Sequence, residues 1–150
     1  MTTTPRTLLA FDYGKKRIGI AVGQELTKTA SPLVTLQNTS ATDNWNAIDE
    51  LVRQWQPQAL VVGLPLNADG SEHAISRAAK QFGKQLQARY NLNVYWMDER
   101  LTSIDAQRLL AGANSGSKSQ AKGRRGSKAD IDRMAAKLIL ESWFNQPSTD

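Results

Sequence analysis

Two apolar runs near the start of the chain stand only four residues apart. Thr7 to Tyr13 is the first, Ile18-Gly19-Ile20-Ala21-Val22 the second, and Gly14-Lys15-Lys16-Arg17 joins them. A short polar connector that begins with glycine, set between two β-prone runs, reads as a hairpin. An antiparallel start excludes a purely parallel sheet, so whatever follows must be added to a mixed one. Ser31-Pro32 interrupts the next segment, and Leu33 to Leu36 reads as a third, edge-like strand. The pattern then changes period. Asp43 or Asn44 is placed to cap a helix whose Trp45, Ile48, Leu51, Val52 and Trp55 share one face, with Pro57 at its end. Ala59 to Leu64 reads as a central strand. An Asp69-Gly70 turn leads to a long helix from Ser71, with Ile75, Ala79, Phe82 and Leu86 at helical spacing. Asn93 to Asp98 is a fifth strand. A short helix follows from Ser103 to Leu110, and Asp130 opens the last helix, with Ile131, Ala135, Leu138 and Ile139 apolar. Three strands followed by alternating helix and strand predict an α/β fold: a mixed five-stranded sheet with helices on its faces.

Residues 1–150 read as a single domain, without internal repeat or linker. Cysteine is absent, which excludes thiolate metal sites and a cysteine nucleophile. The N-terminal Met-Thr-Thr-Thr-Pro-Arg has no signal-peptide core, and the longest apolar run, Ala59 to Leu66, is far too short for a membrane span. A cytoplasmic protein with no membrane partner is the expectation. The net charge is +5, unevenly spread. Asn114 to Lys128 holds Lys118, Lys122, Arg124, Arg125 and Lys128 with no acid and no large apolar residue. Such a stretch cannot bury enough surface to order itself. It reads either as plain solvated loop or as an arm that tracks phosphates, and its place between two acidic sites favours the arm.

Acids lie at the edges of the apolar segments. Asp12 ends the first strand, Asp98 and Glu99 end the fifth, and Asp132 lies in the first turn of the last helix. Carboxylates from strand ends and a helix start that meet at one point hold a hard divalent cation, Mg²⁺ or Mn²⁺. Two such ions about 3.5–4 Å apart would clamp the attacking and leaving oxygens of a phosphodiester hydrolysis. Each acid also has a plainer reading. Asp12 suits a turn before Gly14, Asp98 a strand-end partner for Arg100, Glu99 simple exposure, and Asp132 the favourable end of a helix dipole. Against the last, Asp132 shares a helix face with Ala135, Ala136, Ile139 and Trp143, so it points to the apolar side.

Several segments together resemble one family. Phe11-Asp12-Tyr13-Gly14-Lys15-Lys16-Arg17-Ile18-Gly19-Ile20-Ala21-Val22 resembles the first motif of the YqgF family, also called RuvX-type Holliday junction resolvases or pre-16S rRNA nucleases. Val61 to Glu72 resembles the second motif, Asp98-Glu99-Arg100-Leu101-Thr102-Ser103 the third, and Asp132 with Ala135-Ala136 and Leu138 to Ser142 the C-terminal helix. The resemblance implies a ribonuclease H-like fold and an acidic site at Asp12, the Asp98-Glu99 pair and Asp132. Either acid of the pair could serve; Glu99 is the choice here, with Asp98 as a partner, so that Asp12, Glu99 and Asp132 are the expected catalytic residues. Two departures stand out. Many ribonuclease H-like nucleases carry a carboxylate at the end of the fourth strand, whereas this strand ends Gly63-Leu64-Pro65. Arg133-Met134 also replaces the small residues expected after the helical acid.

Among the remaining residues, Arg17 and Arg100 suit contact with phosphate or with surface acids equally. Gly14 and Gly19 allow close backbone approach of a phosphate, although turn glycine is the commoner use. His73, the sole histidine, reads as exposed at a helix start, and Trp45, Trp55, Trp96 and Trp143 fit core faces better than a stacking platform. The leading expectation is a metal-dependent nuclease acting on structured RNA, in processing the 5′ end of pre-16S rRNA, or on branched DNA. An actin-like phosphotransferase and a non-catalytic nucleic-acid-binding module are the alternatives. Monomer and dimer both remain open, although a symmetric junction resolvase needs two sites.

Overall fold

The computed structural model describes residues 6–65, 69, 71–99 and 128–146, and of residues 128–130 the backbone only. Strands β1 (Thr7–Tyr13), β2 (Arg17–Gln24) and β3 (Thr29–Gln37) form an antiparallel meander. Helix α1 (Ala41–Trp55), strand β4 (Ala59–Leu64), helix α2 (Ala74–Tyr90) and strand β5 (Asn93–Asp98) follow, and helix α3 (Lys128–Phe144) closes the described chain. The sheet order is β3-β2-β1-β4-β5, with β4 parallel to β1 and β5 parallel to β4. This is the mixed five-stranded sheet expected from the element order.

Strand parity sorts the side chains into two cores, because successive residues point to opposite faces. Leu9, Phe11, Ile18, Ile20, Leu60 and Val62 pack with Ile48 of α1 and Ala79, Phe82 and Leu86 of α2. Leu8, Ala10, Ala59, Val61 and Met97 pack with Ile139, Leu140 and Phe144 of α3. Burying each large side chain is worth about 1.5–3 kcal/mol, so the sheet is held from both sides. Helix α3 lies close because β2 alternates large and small residues. Ile18, Ile20 and Val22 go to one core, and Gly19, Ala21 and Gly23 face the helix. A Cβ on Gly19 would collide with the main-chain carbonyl of Asp132, and one on Gly23 would stand 2.7 Å from Leu140 and 2.8 Å from Phe144.

Several local boundaries differ from the sequence reading. β3 is longer than Leu33–Leu36, because Pro32 is absorbed opposite Ala21 where the register shifts between Ile20 and Ala21. An edge strand tolerates the missing N–H there. Ser40, not Asp43 or Asn44, caps α1, accepting the Asp43 N–H at 3.3 Å. Asn44 is instead buried and donates to Asn38 Oδ1 at 2.9 Å, while Asn38 donates to the Gly14 carbonyl at 2.8 Å. That chain ties α1 to the β1–β2 turn. Helix α2 begins at Ala74 rather than Ser71, with half-buried His73 as its N-cap and the Ser76 hydroxyl accepting the His73 N–H at 3.2 Å. Helix α3 already runs at Lys128, so Asp130 lies inside it and Asp132 sits beyond its first turn. Ile131 is 54 % exposed, against the apolar face expected of it. Trp96 is 38 % exposed, and the six-membered part of its ring lies against Gly83 of α2. The proposed helix from Ser103 to Leu110 lies outside the described residues.

Candidate active site

Three elements bring acids to one end of the sheet, on the α3 side. Leu8 and Ala10 face α3, and Asp12 continues their parity at the C-terminal end of β1. Tyr95 and Met97 face the same way, and Glu99, the next odd position, follows directly after β5. Asp98 has the parity of Val94, which packs in the opposite core. It pairs with Leu64 at the end of β4. Adjacent residues on a strand cannot serve one face together, and the face with α3 takes Glu99.

Glycine makes the approach possible from both sides. Asp12 pairs with Gly19 in the β1–β2 register, so the two residues share the face toward α3. The missing side chain at Gly19 lets the Asp132 backbone come down onto the sheet beside Asp12. On the other side, Gly63 of β4 leaves room for Glu99. A Cβ there would stand 2.9 Å from Glu99 Oε2, 3.0 Å from its Cγ and 2.5 Å from Ile139 Cδ1. The absence of an acid at the end of β4 thus has a structural counterpart. Glu99, one strand further along, leans across the place where a β4 side chain would be. Gly19 belongs to a strand and admits a helix, which differs from the turn or phosphate role read from the sequence.

Asp12 and Glu99 are hydrogen-bonded to each other. Burial raises the pKa of Asp12, and the charge of Asp132 adds to this, while the bond from Glu99 opposes it. Burial likewise raises Glu99, reinforced by the charge of Asp12, by that shared bond and by the charge of Asp98. Burial thus disfavours two charges side by side, and the pair holds one proton between its two carboxyl groups above the ordinary carboxylate range. Asp132 is engaged differently. Arg17, the first residue of β2, donates from Nε to Asp132 Oδ2 at 2.5 Å, the two side chains being 24 % and 22 % exposed. Among the described residues, no three metal-ligating side chains enclose a single ion position. The donor set itself, carboxylate oxygens on a half-buried floor, has the chemistry that hard divalent cations select. The fit is therefore chemical, and it requires the Asp12–Glu99 proton and the Arg17–Asp132 bond to give way.

The sequence reading of the site placed Asp12, Glu99 and Asp132 together, and the fold brings these three to one end of the α3 face. Asp98 stays within electrostatic reach of Glu99 but belongs to the opposite parity. Arg17 stands at the site, bonded to an acid. Lys15 and Lys16 are exposed on the β1–β2 turn, closed by the Gly14 N–H bond to the Arg17 carbonyl at 2.9 Å. The sequence reading does not single them out, although they follow directly on Gly14, two residues beyond Asp12. Arg100, Lys118, Lys122, Arg124 and Arg125, with the Lys128 side chain, lie outside the described residues.

The protonated pair makes a prediction about stability. Folded-state carboxyl pKa values above the unfolded ones mean that the folded protein holds protons the unfolded chain has released. Metal-free stability is therefore greatest at and below the ordinary carboxylate range and falls as pH rises above it. Glu99→Gln should remove most of that slope and raise metal-free stability at pH 8 by roughly 1–2 kcal/mol, well short of a full burial penalty because the site opens to water. Thermal unfolding in chelator at pH 5 and pH 8 measures it. Asp98→Asn should leave both slope and cleavage much nearer to wild type than Glu99→Gln does. The reverse order of severity would move the assignment to Asp98.

Comparisons with known proteins identify one family from sequence and one fold from structure. The family described as "RuvX: Holliday junction resolvase" matches residues 6–146. A protein of Nitrosococcus oceani named "Putative pre-16S rRNA nuclease" is 47 % identical over 145 residues, covering 97 % of this chain and 90 % of the relative. A protein of the same name from Dechloromonas aromatica is 47 % identical over 141 residues, covering 94 % of this chain and 92 % of the relative. Among solved structures, Thermus thermophilus RuvC in complex with a Holliday junction substrate superposes with a TM-score of 0.59 at 15 % identity, covering 92 % of this chain and 93 % of the other. At that identity the likeness concerns the fold, which is RuvC-like and ribonuclease H-like.

Proposed function

This chain belongs to the RuvX family and is a nuclease, a hydrolase of phosphodiester bonds, and from that premise we propose that it acts on the 5′ end of pre-16S rRNA in the cytoplasm, using Mg²⁺ or Mn²⁺ held by Asp12, Glu99 and Asp132. The observation that supports this most is the place of Asp12, at the end of β1, within electrostatic reach of both Glu99 and Asp132. When bound, the cation supplies Lewis-acid stabilisation of charge on the phosphate and acidifies water. The chain's own groups do the rest. Asp12 and Glu99 give up their shared proton and present two carboxylate faces. The half-buried floor between α3 and the sheet limits water and strengthens electrostatics there. Lys15 and Lys16, on a turn tied to α1 through Asn38 and Asn44, hold positive charge beside the acids, where a phosphate backbone approaches.

A pre-16S rRNA fragment and a four-way DNA junction, offered in parallel with Mg²⁺ or Mn²⁺, test the substrate. Cleavage of the RNA alone by a monomer is the expected result. Symmetric cleavage of the junction by a dimer would replace the proposal with junction resolution, the activity in the family's description. Absence of metal-dependent cleavage of either, with binding intact, would leave a binding module.

The basic segment carries a separate expectation. If Lys118, Lys122, Arg124, Arg125 and Lys128 track a backbone, neutralising all five weakens binding for every sequence alike. It also flattens the slope of log affinity against log salt by roughly 0.7–0.9 for each phosphate that the protein no longer neutralises. Binding titrations over a range of salt read both effects. Unchanged affinity and slope would transfer the binding surface to Lys15, Lys16 and Arg17.

A further inference from the structure

Arg17 occupies an ambiguous place. Its charge suits phosphate, yet its Nε is committed to Asp132 at 2.5 Å. Both ends of this bond are held by the fold. The Arg17 carbonyl accepts the Gly14 N–H at 2.9 Å, and the Asp132 main chain rests on Gly19, two residues along the same strand. The acid and the guanidinium therefore face each other by construction, independent of loop position. A guanidinium has five N–H donors, and the described bond uses one of them. The other four take no part in that bond.

We propose that Arg17 is a positioning residue that occupies Asp132 in the free protein and exchanges it for substrate phosphate, so that the third carboxylate is released to the cation when nucleic acid arrives. The inference rests on the metal-dependent reading of the same acidic site. Its physical basis is competition. A charge-assisted bond and a dication cannot both claim Oδ2, and a cation directly beside the site also repels the incoming ion. A phosphate takes two parallel donors from a guanidinium, a geometry that lysine does not offer. Breaking the Arg17–Asp132 bond is thereby coupled to binding the substrate backbone. Without substrate, the acids are held in a state with lowered affinity for divalent ions.

Mn²⁺ binding to the protein without nucleic acid, followed by electron paramagnetic resonance of the free ion, tests this apart from activity. Arg17→Gln should bind Mn²⁺ roughly 10-fold more tightly than wild type, the weight of one charge-assisted bond. Arg17→Lys should fall between them. Thermal unfolding checks that each variant is folded. Wild type supplies a second readout that needs no substitution: the ¹⁵Nε–H resonance of Arg17, which should shift as Mg²⁺ saturates the site. Asp12→Asn separates the two ways to fail. If it leaves Mn²⁺ binding unchanged, the metal reading of the acids is wrong and the inference goes with it. If binding depends on Asp12 while Arg17→Gln binds no more tightly, or while the Arg17 resonance ignores saturating Mg²⁺, the inference alone is overturned.

Discussion

Asp12→Asn is expected to abolish cleavage, by on the order of a thousandfold or more, while leaving the fold intact. The substitution keeps shape and removes a charge at the centre of the acidic group. A ligand of this kind contributes several kcal/mol of transition-state stabilisation, and each 1.4 kcal/mol is about a factor of ten. The fold should tolerate it because Asp12 lies at the end of β1, beyond the buried Leu8 to Phe11, and its main-chain pairing with Gly19 is untouched. The metal-free protein should even be slightly more stable at neutral pH, since burial disfavours the Asp12 charge. A cleavage assay and a thermal melt on one preparation decide the matter. An Asp12→Asn protein that cleaves at the wild-type rate with ordinary metal dependence would remove the acidic site from the mechanism.

Gly19→Ala should have the second largest effect, although Gly19 carries no functional group. Its Cβ would collide with the Asp132 carbonyl and stand 3.0 Å from the Arg133 nitrogen. These are backbone atoms of a packed helix, so they cannot rotate out of the way. Helix α3 must lift at its N-terminal half, while Leu140 and Phe144 stay seated over Gly23. Overpacking of this sort costs about 1–3 kcal/mol. The loss of activity should be much larger than that destabilisation explains, about 100-fold, because a displacement of about 1 Å at a catalytic group has that weight. Measuring unfolding free energy beside the rate distinguishes the two. Gly23→Ala provides the comparison: its Cβ would meet the Leu140 and Phe144 side chains and the Thr29 carbonyl at the far end of the same helix packing, so milder strain and a smaller loss of activity are expected. Equal losses at both positions would mean that α3 only stabilises the fold and does not aim Asp132.

Much of this molecule is legible in one dimension. The hairpin, the central strand Ala59–Leu64 and the last strand Asn93–Asp98 follow from runs of β-prone residues bounded by turns. The acids stand out as breaks at the ends of those runs. Errors gathered where local signals compete. Asp43, Asn44 and Ser40 all suit a helix cap, and only the burial of Asn44 against Asn38 shows which of them the fold needed elsewhere. Pro32 argues for a short edge strand, but the register skips Leu33 of β3 itself and so makes room for the proline.

Composition and order of segments determined that this chain makes a mixed sheet with helices on its faces and that its acids fall at segment ends. Local sequence carries that information because period and turn chemistry act over a few residues. Which acids meet is another kind of fact. Asp98 and Glu99 are neighbours of equal chemistry, and nothing local tells which faces α3. The choice comes from the parity of β5 once Tyr95 and Met97 are buried on that side. The closeness of Asp132 to Asp12 comes from a glycine on a third element, and the Arg17–Asp132 bond from a helix 115 residues further along the chain. Those contacts form only when two packed faces select one register and one helix height, and that selection belongs to the tertiary structure.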